Sequence, residues 1–195
     1  MPGFFLRERP APRPVHYAAH PAARFPPMTA NPFAWTFRVQ FLVGFVLCYA
    51  LIGAALYIEH GMLMMPCPLC ILQRIAFAVL GAVFLVGGLH APRGVAGRRA
   101  YGLLALVPAA AGVWLAGRHV WIQSLPPSEV PACTSMGLDY MIEAMGPIKA
   151  LATALQGSGE CANVDAIFGV SIPMWALLWF AALAALALVA AFRRR

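Results

Sequence analysis

Charge is scarce in this chain. Of 195 residues, 11% are Asp, Glu, Lys or Arg, while 62% are hydrophobic. A soluble globular domain is about 25% charged and roughly 45–50% apolar, so water is not the main solvent of this fold. The formal charge is +7, but the basic residues form no patch interleaved with aromatics, which argues against a nucleic-acid partner. The first long apolar run ends in Leu56-Tyr57-Ile58-Glu59-His60 without an Ala-X-Ala pattern, so it reads as a retained span and not a cleaved signal. No second Cys-X-X-Cys accompanies Cys67-Pro68-Leu69-Cys70, so no thiolate set completes a tetrahedral metal site.

Four apolar stretches are present, at 39–58, 71–89, 101–122 and 172–192. Each approaches the ~20 residues needed to cross a hydrocarbon core of ~30 Å. The first and last contain no charge, the second only Arg74, and the third only Arg118 beside His119. The expected fold is an all-α membrane protein, a four-transmembrane-helix bundle with no separate soluble domain.

Lys and Arg orient such a bundle. Arg7, Arg9, Arg13, Arg24 and Arg38 precede the first span. Arg93, Arg98 and Arg99 lie between spans two and three, and Arg193, Arg194 and Arg195 close the chain. These are 11 of the 14 basic residues. The opposite side carries Lys149 and Glu59, Glu129, Asp139, Glu143, Glu160 and Asp165. Both termini (1–38 and 193–195) and the 90–100 loop are therefore expected in the cytoplasm. The 59–70 and 123–171 loops are expected outside. Residues 1–34, rich in Pro, Ala and Arg, have no apolar period and are expected to be disordered. Met28 is an alternative start.

With this topology, no cysteine falls in a cytosolic segment. Cys67 and Cys70 belong to the first outer loop, Cys133 and Cys161 to the second, and Cys48 sits mid-span as a packing residue. Pro66 and Pro68 restrict the backbone around Cys67. Cys70 falls at the start of span two, where the positive end of the helix dipole favours a thiolate. Arg74 lies four residues on, on the same face. An arginine within a membrane segment needs a partner, and the Cys70 thiolate would supply one. The second loop contains a stretch from 140 to 155 with loose helical spacing, read as a short interfacial helix. Gly157-Ser158-Gly159 follows as a hinge before Cys161. Cysteines 28 positions apart, joined through a hinge, suit either a disulfide that moves or a static staple.

These residues resemble the DsbB family, inner-membrane disulfide-bond-forming proteins of Gram-negative bacteria. The resemblance rests on Cys67-Pro68-Leu69-Cys70 followed by Arg74, the four spans, a second outer pair ending in Gly159-Glu160-Cys161, and the run Ile167-Phe168-Gly169-Val170-Ser171-Ile172-Pro173-Met174-Trp175. It implies a thiol oxidase that reoxidises a periplasmic DsbA-like dithiol protein and passes the electrons to ubiquinone or menaquinone, with no metal. It further implies that Cys133 forms the mixed disulfide with the partner and that Cys161 is its mate. Cys67 would exchange with Cys161, Cys70 would be the quinone-proximal thiolate, and Arg74 the quinone contact. A partner of DsbA type has a potential of about −120 mV, whereas structural disulfides lie below about −300 mV. Four purely structural cysteines would fall short by roughly 8 kcal/mol.

Two other readings use the same residues. A copper-binding or transporting protein would employ Cys67, Cys70, His60 and Met62–Met65 as soft ligands, although Arg74 would repel a cation. A purely structural bundle would use the cysteines as staples. Arg118 and His119 read as interface anchors beside Trp121, or as neighbours of a quinone head. Trp114, Trp175 and Trp179 read as belt or packing aromatics, and Gly81, Gly87, Gly88 and Gly112 as points of close helix approach.

Overall fold

The computed structural model describes residues 36–63, 66–131 and 138–193. The 1–34 extension, Met28, Met64, Met65, Cys133, Arg194 and Arg195 lie outside the described residues. Among the described residues, four helices are long and apolar enough to span a membrane: α1 (Phe37–Met62), α2 (Pro68–His90), α3 (Val95–Gln123) and α6 (Ile172–Phe192). Between α3 and α6 lie two short helices, α4 (Leu138–Met145) and α5 (Pro147–Gln156). A 3-10 turn (Gly159–Ala162) and a two-strand ribbon, β1 (Ala166–Ile167) and β2 (Val170–Ser171), lead from α5 into α6.

Local chemistry sets the helix entries. Thr36 caps α1 by accepting from the Val39 amide. Cys67 caps α2, its sulfur accepting from the Cys70 amide at 3.4 Å, and Pro68 occupies the first turn, where a missing N–H costs nothing. The Cys-X-X-Cys motif is thus itself the helix start. The expected interfacial helix is two helices, because Gly146 (φ 82) and Pro147 break it. β1 and β2 pair antiparallel, Ala166 opposite Ser171 and Ile167 opposite Val170. Phe168 and Gly169 both take positive φ at the tip, as a two-residue hairpin turn requires.

The bundle packs α1 on α2, α2 on α3 and α3 on α6. Its outward faces are as apolar as its interior, with Val46, Val79, Leu104, Val107 and Leu178 exposed. Apolar burial therefore does not drive the helices together, and close approach must. Glycines supply it. A Cβ on Gly112 would lie 2.2 Å from the Phe180 ring, on Gly87 2.6 Å from Phe41, on Gly81 2.8 Å from Tyr49, and on Gly88 2.9 Å from Leu42. Gly102 nests against Ala191 in the same way. Phe77 stacks on Phe180 with ring centroids 3.8 Å apart, tying α2 to α6. Cys48 is fully buried beneath Gly81, as a packing residue should be.

One expectation fails here. The Gly157-Ser158-Gly159 stretch is no loose hinge. Ser158 and Gly159 are buried, and a Cβ at Gly157 (φ +84) would fall 2.3 Å from Ile122. The glycines permit a tight turn over α3, which carries the chain down onto the cysteine end of the bundle.

Candidate functional site

At the start of α2 the sulfurs of Cys67 and Cys70 are 3.1 Å apart. Cys67 is buried and Cys70 partly so. The 3-10 turn brings in Cys161, fully buried in the same core as Cys67. Its amide donates to the Ser158 carbonyl at 2.9 Å, and its sulfur lies 3.8 Å from Ser158 Oγ. The neighbouring Cys67, and then burial, push the Cys161 thiol well above the ordinary thiol range. Cys161 therefore shares one buried core with Cys67, whose sulfur meets that of Cys70 at the start of α2. Cys133 lies outside the described residues.

His119, from α3, is 3% exposed and stands against both members of the first pair. Its Nε2 is 3.8 Å from Cys67 Sγ and its Nδ1 3.9 Å from Cys70 Sγ. Gln73, 5% exposed, reaches the same Nδ1 at 3.3 Å. Arg118 turns the other way, its guanidinium 4.5 Å from the Trp121 ring centroid and donating to the Gln156 carbonyl at 3.1 Å. The adjacent residues diverge because successive positions on a helix point about 100° apart. The sequence signal for Gln73 was available: it is a lone amide between Cys70 and Arg74 in an otherwise apolar run.

Arg74 has a different partner from the one expected. It pairs with Glu59 of α1 rather than with the Cys70 sulfur, and its Nη2 donates to the Ala55 carbonyl at 3.4 Å. The reason is geometric: α1 continues as a helix past residue 58 and carries Glu59 over the arginine. Arg74 and Glu59 side chains are 21% and 25% exposed. A guanidinium has five N–H groups, so these two bonds leave three for a ligand.

Beside this cluster opens a cavity of about 380 Å³ between α1, α2 and α6, mouthed by the hairpin. Leu51, Ile52, Phe77 and Trp179 give it apolar walls, and Cys70, Gln73, Arg74 and His119 line it as well. Apolar walls with a few convergent polar groups are what a flat, oxygen-bearing ring needs. A quinone head fits by chemistry, since its carbonyl oxygens accept and Arg74 donates. Phe168, 96% exposed, stands at the mouth. Trp175 donates to the Ile167 carbonyl at 3.1 Å and fixes the hairpin on α6.

The family model described as Disulfide bond formation protein DsbB matches residues 37–190. Disulfide bond formation protein B of Xanthomonas campestris pv. campestris (strain 8004) is 48% identical over 166 residues, covering 85% of this chain and 96% of that protein. The protein of the same name from Xylella fastidiosa (strain 9a5c) is 46% identical over 164 residues, 84% of this chain and 94% of its own length. A four-helix membrane bundle with a thiol pair capping one helix agrees with this likeness, and the chain belongs to the DsbB family of disulfide bond formation proteins.

Proposed function

We propose that this disulfide-generating membrane protein oxidises a periplasmic DsbA-like dithiol protein and passes the electrons to a quinone of the bacterial inner membrane, either ubiquinone or menaquinone. The arginine-rich end would face the cytoplasm and the cysteine end the periplasm. The observation that carries the reading is the gathering of Cys161 into one buried core with Cys67, whose sulfur meets that of Cys70 beside a cavity that Arg74 also lines.

In this scheme the partner's dithiol reduces a Cys133–Cys161 disulfide through a mixed disulfide with Cys133. The released Cys161 attacks the sulfur of Cys67 in a Cys67–Cys70 disulfide, and Cys70 leaves as a thiolate. Once the partner's second thiol has freed Cys133, Cys133 attacks Cys161 of the new Cys67–Cys161 bond, which restores the Cys133–Cys161 disulfide and leaves Cys67 and Cys70 as the dithiol to be oxidised. Attack requires the thiolate, so the proton held on Cys161 must first move. His119 lies beside Cys67 and Cys70 and can exchange protons with them. Gln73 fixes its ring, and Arg74, oriented by Glu59, presents donors to the cavity. When bound, the quinone accepts the two electrons and two protons that two thiols release on closing a disulfide.

The test is trapping. In a strain lacking Cys161 (Cys161→Ser), a reductant-sensitive adduct between Cys133 and the soluble partner should accumulate. Cys67→Ser or Cys70→Ser should leave the partner reduced. An adduct through Cys67, or a fully oxidised partner in the Cys70→Ser strain, overturns the assignment.

One observation favours a second reading. Ligand atoms of Cys67, Cys70 and His119 lie within 4.8 Å of one another, a spacing that suits a soft metal, and Glu59 offsets the repulsion expected from Arg74. Stoichiometric copper or zinc in purified protein, without quinone-dependent dithiol oxidation, would support it.

A further inference from the structure

The end of the bundle away from the cysteines has a charge problem. Arg38, Arg93, Arg98, Arg99 and Arg193 gather there, while the acids among the described residues all lie toward the other end. The one ion pair among the described residues is Arg74–Glu59, at that other end. α3 makes the imbalance worse. It starts at Gly94 with no side-chain cap and no acid in its first turn. Arg98 closes that turn and Arg99 follows, so cations stand at the positive end of the helix dipole.

Two of these arginines flank the contact between α3 and α6. Gly102 of α3 nests against Ala191 of α6. Arg98 is one turn before Gly102 on the same face, and Arg193 caps α6 two residues after Ala191. The Arg99 guanidinium, alongside, lies 5.5 Å from the Phe192 ring centroid. Arg98 Nε and Arg193 Nη1 are both shut off from solvent, and neither has a hydrogen-bond partner. A buried cationic N–H without an acceptor is costly, and two like charges at one helix junction add repulsion. One anion with several oxygens would satisfy both nitrogens, neutralise the junction and complement the start of α3.

We propose that the α3–α6 junction at the arginine end binds the phosphate of an anionic phospholipid through Arg98 and Arg193. A lipid is favoured over free phosphate because the two helices that meet there are flanked by exposed apolar side chains, Leu103 on α3 and Leu188 on α6, where acyl chains can lie. Basic pockets between membrane helices bind lipid head groups in this way.

The experiment is thermal unfolding of the full chain in neutral detergent, with added phosphatidylglycerol, phosphatidylcholine or inorganic phosphate. Phosphatidylglycerol at about a hundredfold excess over Kd should raise Tm by roughly 5–10 °C, and the other two should not. Arg98→Gln/Arg193→Gln should lose most of that rise. Arg38→Gln/Arg93→Gln, which removes two exposed charges at the same end, should keep it. Should the first double variant fold poorly, native mass spectrometry of the unaltered protein decides: retained phosphatidylglycerol supports the site, and equal retention of phosphatidylcholine overturns it. An equal rise with phosphatidylcholine or with free phosphate, or an undiminished rise in Arg98→Gln/Arg193→Gln, also overturns it.

Discussion

Arg74 can be doing either of two things, and a pair of substitutions separates them. It ties α2 to α1 through Glu59 and the Ala55 carbonyl, and it lines the cavity. If it donates to a quinone oxygen, one charge-assisted hydrogen bond is at stake, about 1.5–3 kcal/mol. At 1.4 kcal/mol per decade this is roughly a 10- to 150-fold rise in quinone KM for Arg74→Ala. Arg74→Lys keeps the charge but loses the planar fork, and should fall between. Glu59→Gln keeps an acceptor for the guanidinium and gives up the ion pair. For a partly exposed pair this is about 0.2–1 kcal/mol, at most a fivefold rise. The double variant Glu59→Gln/Arg74→Ala decides. Were Arg74 only a clamp, the harm of Arg74→Ala would be the carboxylate left alone in a partly buried site, and neutralising Glu59 would relieve it. With a quinone contact, KM stays at the Arg74→Ala level. The assay is quinone reduction by the purified protein, with a reduced dithiol substrate and varied quinone. A wild-type KM in the double variant refutes the contact.

His119→Gln should lower kcat by about a hundredfold or more, while abolishing the inflection that the imidazole contributes to the pH–rate profile. An unchanged pH–rate profile would leave His119 a packing residue. In the reduced protein, Cys161 alkylation by iodoacetamide should be slow at pH 7 and still climbing at pH 10, because a raised thiol reaches its thiolate only in alkali. A plateau below pH 9, read by peptide mass spectrometry, contradicts this. Gly112→Ala drives a Cβ into Phe180 and should cost about 1–3 kcal/mol, a fall in Tm of roughly 3–10 °C. Gly117→Ala, which meets nothing within 4 Å, should hold or raise Tm, and equal losses in the two variants would refute the nesting argument.

Much of this protein is legible from local sequence. Span count follows from run length, because a bilayer of fixed thickness needs about 20 apolar residues. Cys67 as a helix cap beside Pro68 follows equally, since capping is settled within a few residues. What was not legible is which way each helix faces. In soluble helices a polar stripe marks the outside, but here lipid-facing and buried faces are equally apolar. Rotation is therefore decided by which glycine accepts which aromatic ring, as at Gly112 and Phe180 or Gly87 and Phe41. Only that packing turns His119 onto cysteines 52 and 49 residues earlier and sets Glu59 over Arg74. Likewise, Gly157 reads as looseness in the sequence. In the fold its positive φ and missing side chain are what let the chain press against Ile122 and deliver Cys161 to Cys67.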